Sequence, residues 1–182
     1  MCNRIVQRVF LAGALFLVSG LPAAAQNASV GLSFLGDNGG TGVAADFANH
    51  FRTSSDRNLD WLVDLSLNHN GASAFGFDAS LNTLIVQGGV RLSGKAAENA
   101  MWHVQGAIGI AHQSAGGDIN DLCDLGGVDC SDTGAIFSPA GGFTYWFSGN
   151  KGVRGQLGIP IFFNGGDSTT RFDISFVWQM GQ

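Results

Sequence analysis

Near the end of the chain Phe172, Ile174, Phe176, Trp178 and Met180 share one parity, while Asp173, Ser175 and Gln179 hold the other. A two-residue period is that of a β-strand with one apolar and one polar face. The same period predicts eight strands, at residues 29–35, 42–51, 59–68, 81–93, 101–113, 135–147, 153–163 and 170–180. Most are close to the ~9–11 residues that a tilted strand needs to cross a bilayer. An even number of antiparallel strands can close and leave no edge. The pattern therefore predicts an all-β fold, an eight-stranded antiparallel up-and-down transmembrane β-barrel.

The apolar parities are large and nearly free of charge: Leu59, Trp61, Val63, Leu65 and Leu67 in the third strand, and Trp102, Val104, Ile108 and Ile110 in the fifth. The opposite parities hold Asp46 and His50, Asp60, Asp64 and Asn68, Gln87 and Arg91, His103 and Gln105, and Arg154 and Gln156. A membrane barrel turns the first set to lipid and the second to its lumen, whereas a soluble lipocalin-like barrel would reverse them. Gly88, Gly89, Gly106, Gly109, Gly141, Gly142, Gly155 and Gly158 are expected inside, where a narrow barrel is crowded. Phe51, Trp61, Trp102, Tyr145, Phe147 and Trp178 near the strand ends fit an aromatic girdle on the periplasmic side. With strand one starting at that side, residues 52–58, 94–100 and 148–152 become periplasmic turns. Residues 36–41, 69–80, 114–134 and 164–169 become external loops, and the two longest connections fall in that external set.

The other end of the chain fixes the compartment. Arg4 and Arg8 form a basic stretch, residues 9–18 an apolar one, and Leu21-Pro22-Ala23-Ala24-Ala25 a small-residue cleavage site. This is the signature of a cleaved secretory signal over residues 1–25, leaving one domain over 26–182. Loss of Arg4 and Arg8 moves the net charge from −5 to −7, a balance that argues against nucleic acid as a partner.

Signal, size, eight alternating segments and the closing Phe172-Asp173-Ile174-Ser175-Phe176-Val177-Trp178 strand resemble the small outer-membrane β-barrel superfamily of OmpA-like, OmpX-like and opacity-type barrels. That resemblance implies residence in the bacterial outer membrane among lipid and lipopolysaccharide, a monomer, and no cofactor. It also implies recognition of the terminal aromatics, here Phe176 and Trp178, by the barrel-assembly machinery. The chain departs from the pattern by ending Gln179-Met180-Gly181-Gln182 and not on an aromatic residue.

Buried charges are costly unless paired, so Asp46, Asp60, Asp64, Arg91, His103, Arg154 and Asp173 are expected to form a lumenal network that plugs the barrel. Cys123 and Cys130 are the pair left after signal removal, and an oxidising compartment makes a disulfide the expected state. Metal ligation competes, although no histidine lies between the two. Asp118, Asp121 and Asp124 in the same loop, with Asp129 and Asp132, could hold a divalent cation or simply keep the loop solvated. The expected function is a non-enzymatic barrel displaying surface loops in a structural, adhesive or interaction role. One constellation suggests chemistry: the His-x-Ser of His112 and Ser114 on the outer face is similar to that of outer-membrane lipid A deacylases, so an esterase is the alternative.

Overall fold

The computed structural model describes residues 27–36, 40–53, 56–74, 77–117, 130–163 and 168–180, so the signal segment lies outside the described residues. The strands are β1 (Asn27–Leu35), β2 (Gly40–Thr53), β3 (Arg57–Ala74), β4 (Phe77–Ala97), β5 (Ala100–Gly117), β6 (Ser131–Ser148), β7 (Lys151–Gly158), β8 (Ile161–Phe162) and β9 (Arg171–Gln179). From β1 to β7 each strand pairs antiparallel with the next, β8 pairs with β6 and β9 with β7, β9 returns to β1 through Asn27↔Gln179 and Leu35↔Arg171, and the sheet has no free edge within the barrel.

Nine segments make eight barrel strands because β7 and β8 are one strand in one register. Ala140↔Gly158 on β7 and Phe137↔Ile161 on β8 continue the same ladder along β6. Pro160 between them has no N–H to donate, which interrupts the pairing without ending it. Ile159 N still donates to Pro139 O and Phe163 N to Ala135 O, each at 3.0 Å.

The faces divide as a membrane barrel requires. Ile108 is 67 % exposed and Phe143 64 % on the outside, whereas Asp60 at 2 % and Arg91 at 3 % are enclosed. Toward the end holding Asn27 and Gln179, Phe147, Phe176 and Trp178 form a chain of ring contacts with centroids 5.9 and 6.0 Å apart, while Trp178 and Met180 pack over Phe47 and Ala28. This is the girdle end, and the short turns Ala97↔Ala100 and Ser148↔Lys151 lie there too. Short turns mark the periplasmic side.

Two expectations need correction. The segment 69–80 is not a loop: β3 and β4 stay paired up to Ala74↔Phe77, so the connection is a long hairpin. The strand pattern fades there because a ladder in water needs no apolar face. Of the glycines expected inside, Gly88, Gly106, Gly141 and Gly155 instead take the lipid-facing parity of Val90, Val104, Phe143 and Val153. The inward ones have a steric reason: a Cβ on Gly89 would stand 2.2 Å from the carbonyl oxygen of Gly106, and one on Gly142 2.1 Å from that of Gly155. Tight coiling brings neighbouring backbones that close only where no side chain intervenes.

Candidate functional site

Strand parity aims polar side chains of all eight barrel strands into one lumen, where charged ones from β2, β3, β4, β7 and β9 meet as two layers of ion pairs. In the layer nearer the periplasm, Asp46 on β2 takes Arg91 Nη1 at 3.0 Å and Arg154 Nη1 at 2.8 and 3.0 Å, and Ser29 donates to the same carboxylate. Arg91 also donates Nε to Gln105, and Arg154 donates Nε to Thr144. In the layer nearer the outside, Arg171 on β9 grips Asp64 on β3 through two bonds of 2.7 and 3.1 Å and donates Nε to Asp173 at 3.0 Å. Gln87 completes Asp64 from β4 at 2.9 Å. The Arg91–Asp46, Arg154–Asp46 and Arg171–Asp64 pairs join strands that are not neighbours, as chords across the barrel, whereas the other bonds link adjacent strands or lie within β9; a bidentate guanidinium–carboxylate pair fixes geometry as well as charge.

All seven predicted network residues point inward. Asp46, Asp64, Arg91, Arg154 and Asp173 join in ion pairs, while Asp60 pairs with His50 at the periplasmic end and His103 bonds Gln156 instead of a carboxylate. Arg171, the centre of the outer layer, escaped the sequence reading. Its parity matches that of Asp173 and Ser175, which was the available signal. Also unforeseen were the apolar residues on lumenal parities, Ala48, Leu62 and Ala107 in one cluster and Ile85, Ala111 and Ile136 with Phe162 in another. Below the lower layer a cavity of about 460 Å³ opens at the periplasmic end, with Arg91, Arg154, His103, Asp60 and Trp146 in its wall.

On the outer face, His112 and Ser114 have the predicted outward parity on β5. His112 is exposed, and its Nδ1 is hydrogen-bonded to Thr133 Oγ1 at 2.7 Å across the β5–β6 ladder. Among the described residues neither a carboxylate nor Ser114 bonds that imidazole. Cys130 lies just before β6, its carbonyl accepting from Ala115 N at 2.9 Å; Cys123, Asp118, Asp121 and Asp124 lie outside the described residues. The described residues contain no cluster of three His, Cys, Asp or Glu side chains suited to a metal ion.

No protein-family model and no curated protein matches the sequence. Solved structures do. The attachment invasion locus protein Ail of Yersinia pestis, solved in complex with the heparin analogue sucrose octasulfate, superposes with a TM-score of 0.59 at 10% identity, covering 85% of this chain and 97% of Ail. Neisserial surface protein A follows at 0.51 and 12% identity, covering 85% of this chain and 94% of that one. The fold is that of the small outer-membrane β-barrels. That fold and the apolar exterior together place the barrel in the bacterial outer membrane. The outer membrane enzyme PagL is also similar, at a TM-score of 0.46 and 12% identity, a distance at which the likeness carries no weight for chemistry.

Proposed function

We propose that this protein is a non-enzymatic outer-membrane barrel whose lumen is plugged by its ion pairs and whose external hairpins do its work, in a structural, adhesive or interaction role. Strand length supports this most directly. β3 has 18 residues, β4 21, and β5 and β6 18 each. At roughly 3.3 Å per residue and a tilt near 45°, 18 residues rise about 40 Å, against an apolar band about 25 Å tall. The surplus stands outside, above Leu67 and Ile110, where the exposed pairs His69–Asn82 and His112–Thr133 are hydrogen-bonded.

Charge supports a particular kind of partner. Asp37, Asp78, Asp118, Asp121, Asp124, Asp129, Asp132 and Asp167 all fall on external connections, which carry no Lys or Arg. The sulfated ligand of Ail is therefore a poor fit, and a basic surface suits these hairpins better. Membrane lipid, lipopolysaccharide and, through Phe176 and Trp178, the assembly machinery are the further partners in this reading, which takes the barrel as a monomer. A Cys123–Cys130 disulfide would pin the longest loop; a mass gain of two hydrogens on reduction tests it, and free thiols in the exported protein would refute it.

The deciding experiment joins His69 directly to Asn82 through an Asn-Gly turn. Loss of adhesion by expressing cells, with the shortened barrel still migrating as a heat-modifiable species, is the expected outcome. Unchanged adhesion would sink the hairpin reading. The esterase alternative has less behind it, since the partner of His112 is a hydroxyl. Ser114→Ala is expected to leave lipid A acylation as it was; a retained acyl chain in that variant alone would restore the enzyme.

A further inference from the structure

The periplasmic cavity holds two guanidiniums and too few acceptors for them. Arg91 and Arg154 both line it and share one carboxylate, Asp46. Arg91 spends Nε on Gln105 and Nη1 on Asp46, and its buried Nη2 has no partner. The bonds of Arg154 to Thr144 and Asp46 use Nε and Nη1. The other carboxylates at the cavity do not make up the difference: Asp60 is engaged by His50, and Glu98 sits exposed on the rim. A buried donor left without an acceptor keeps the cost of its lost hydration, and the cost is greater when the group is charged. The approach is also favourable to negative charge, because the exposed periplasmic rim carries Arg52, Arg57, Lys95 and Lys151 against Asp56 and Glu98.

We propose that this vestibule binds an oxyanion, the carboxylate or phosphate group of a periplasmic solute or lipid headgroup, seated on Arg91 and Arg154. The oxyanion supplies the acceptor that Asp46 alone cannot, and planar guanidiniums are the side chains best shaped to take it. The site faces the periplasm only; the Asp64–Arg171–Asp173 layer lies between it and the outside.

Arginine side-chain Nε–H resonances of the ¹⁵N-labelled folded barrel test this. Inorganic phosphate titrated into zwitterionic micelles should move the Arg91 and Arg154 signals saturably and leave Arg171 in place. Chloride at matched ionic strength should not reproduce the shift. Ser93→Phe, which fills the cavity from β4 and replaces none of the partners of either arginine, should weaken the apparent affinity by about tenfold or more. Should that variant fail to fold, Ser148→Trp at the mouth serves the same end. A shift with phosphate assigns the site to soluble anions, and a shift only when phosphatidylglycerol replaces zwitterionic lipid in nanodiscs assigns it to a headgroup. No saturable movement in either medium, an equal response to chloride, or full affinity in the filled cavity would overturn the proposal.

Discussion

Taking one guanidinium out of the lumen strands two carboxylates at once. Arg171 bonds both Asp64 and Asp173, all three are buried, and removing one member of such a group typically costs about 3–5 kcal/mol because the remaining charges lose their partner. Arg171→Gln should therefore lower the urea midpoint of the reconstituted barrel markedly, and Arg154→Ala should do likewise through Asp46. Unchanged midpoints in both would mean that the ion pairs do not hold the fold. Glycine gives a sharper contrast. Gly155→Ala meets open space on the lipid face and should be neutral, whereas Gly89→Ala drives a methyl into the Gly106 carbonyl and should slow or block assembly, as read by the heat-modifiable fraction. Side-chain parity was legible in the sequence for every charged lumenal residue, yet Arg171 was passed over beside its more conspicuous aromatic neighbours. The glycine faces were legible too, since Gly88, Gly106, Gly141 and Gly155 stand two residues from Val90, Val104, Phe143 and Val153 and so share their outward face.

Strands show a division between what burial writes into a sequence and what it does not. Within the membrane each strand needs one greasy face, so alternation marks residues 59–68 and 81–93 clearly. Beyond Leu67 the ladder continues through His69↔Asn82 and Ser73↔Asp78 with no such demand, and the period that identifies a strand disappears although the hydrogen bonds persist. The break at Pro160 was equally silent, because apolar Ile159 and Ile161 on either side keep their parity across it. This separation is also why the hairpin can be cut back. The β3–β4 pairs of the barrel wall, from Arg57↔Gly94 to Leu67↔Leu84, lie below the cut, and the closing β1–β9 pairs are untouched, so the shortened chain should still fold.

For the molecule as a whole, the proposed plug makes the two lumenal layers the barrier to passage. An ion entering from the periplasm reaches the cavity, then the Arg91–Asp46–Arg154 layer, then Asp64–Arg171–Asp173, with the Ile85, Ala111, Ile136 and Phe162 cluster also facing the lumen. The layers draw on different acceptors, so opening one leaves the other bridged. The wild-type barrel in planar bilayers should give no stepwise conductance, and Arg154→Ala, despite its lost stability, should give none either. Arg154→Ala combined with Arg171→Ala removes a cation from each layer and should produce small, noisy openings. Steady conductance in Arg154→Ala alone would show that the outer layer does not seal, and the barrel would then have to be read as a gated pore instead of a plugged stalk for its hairpins.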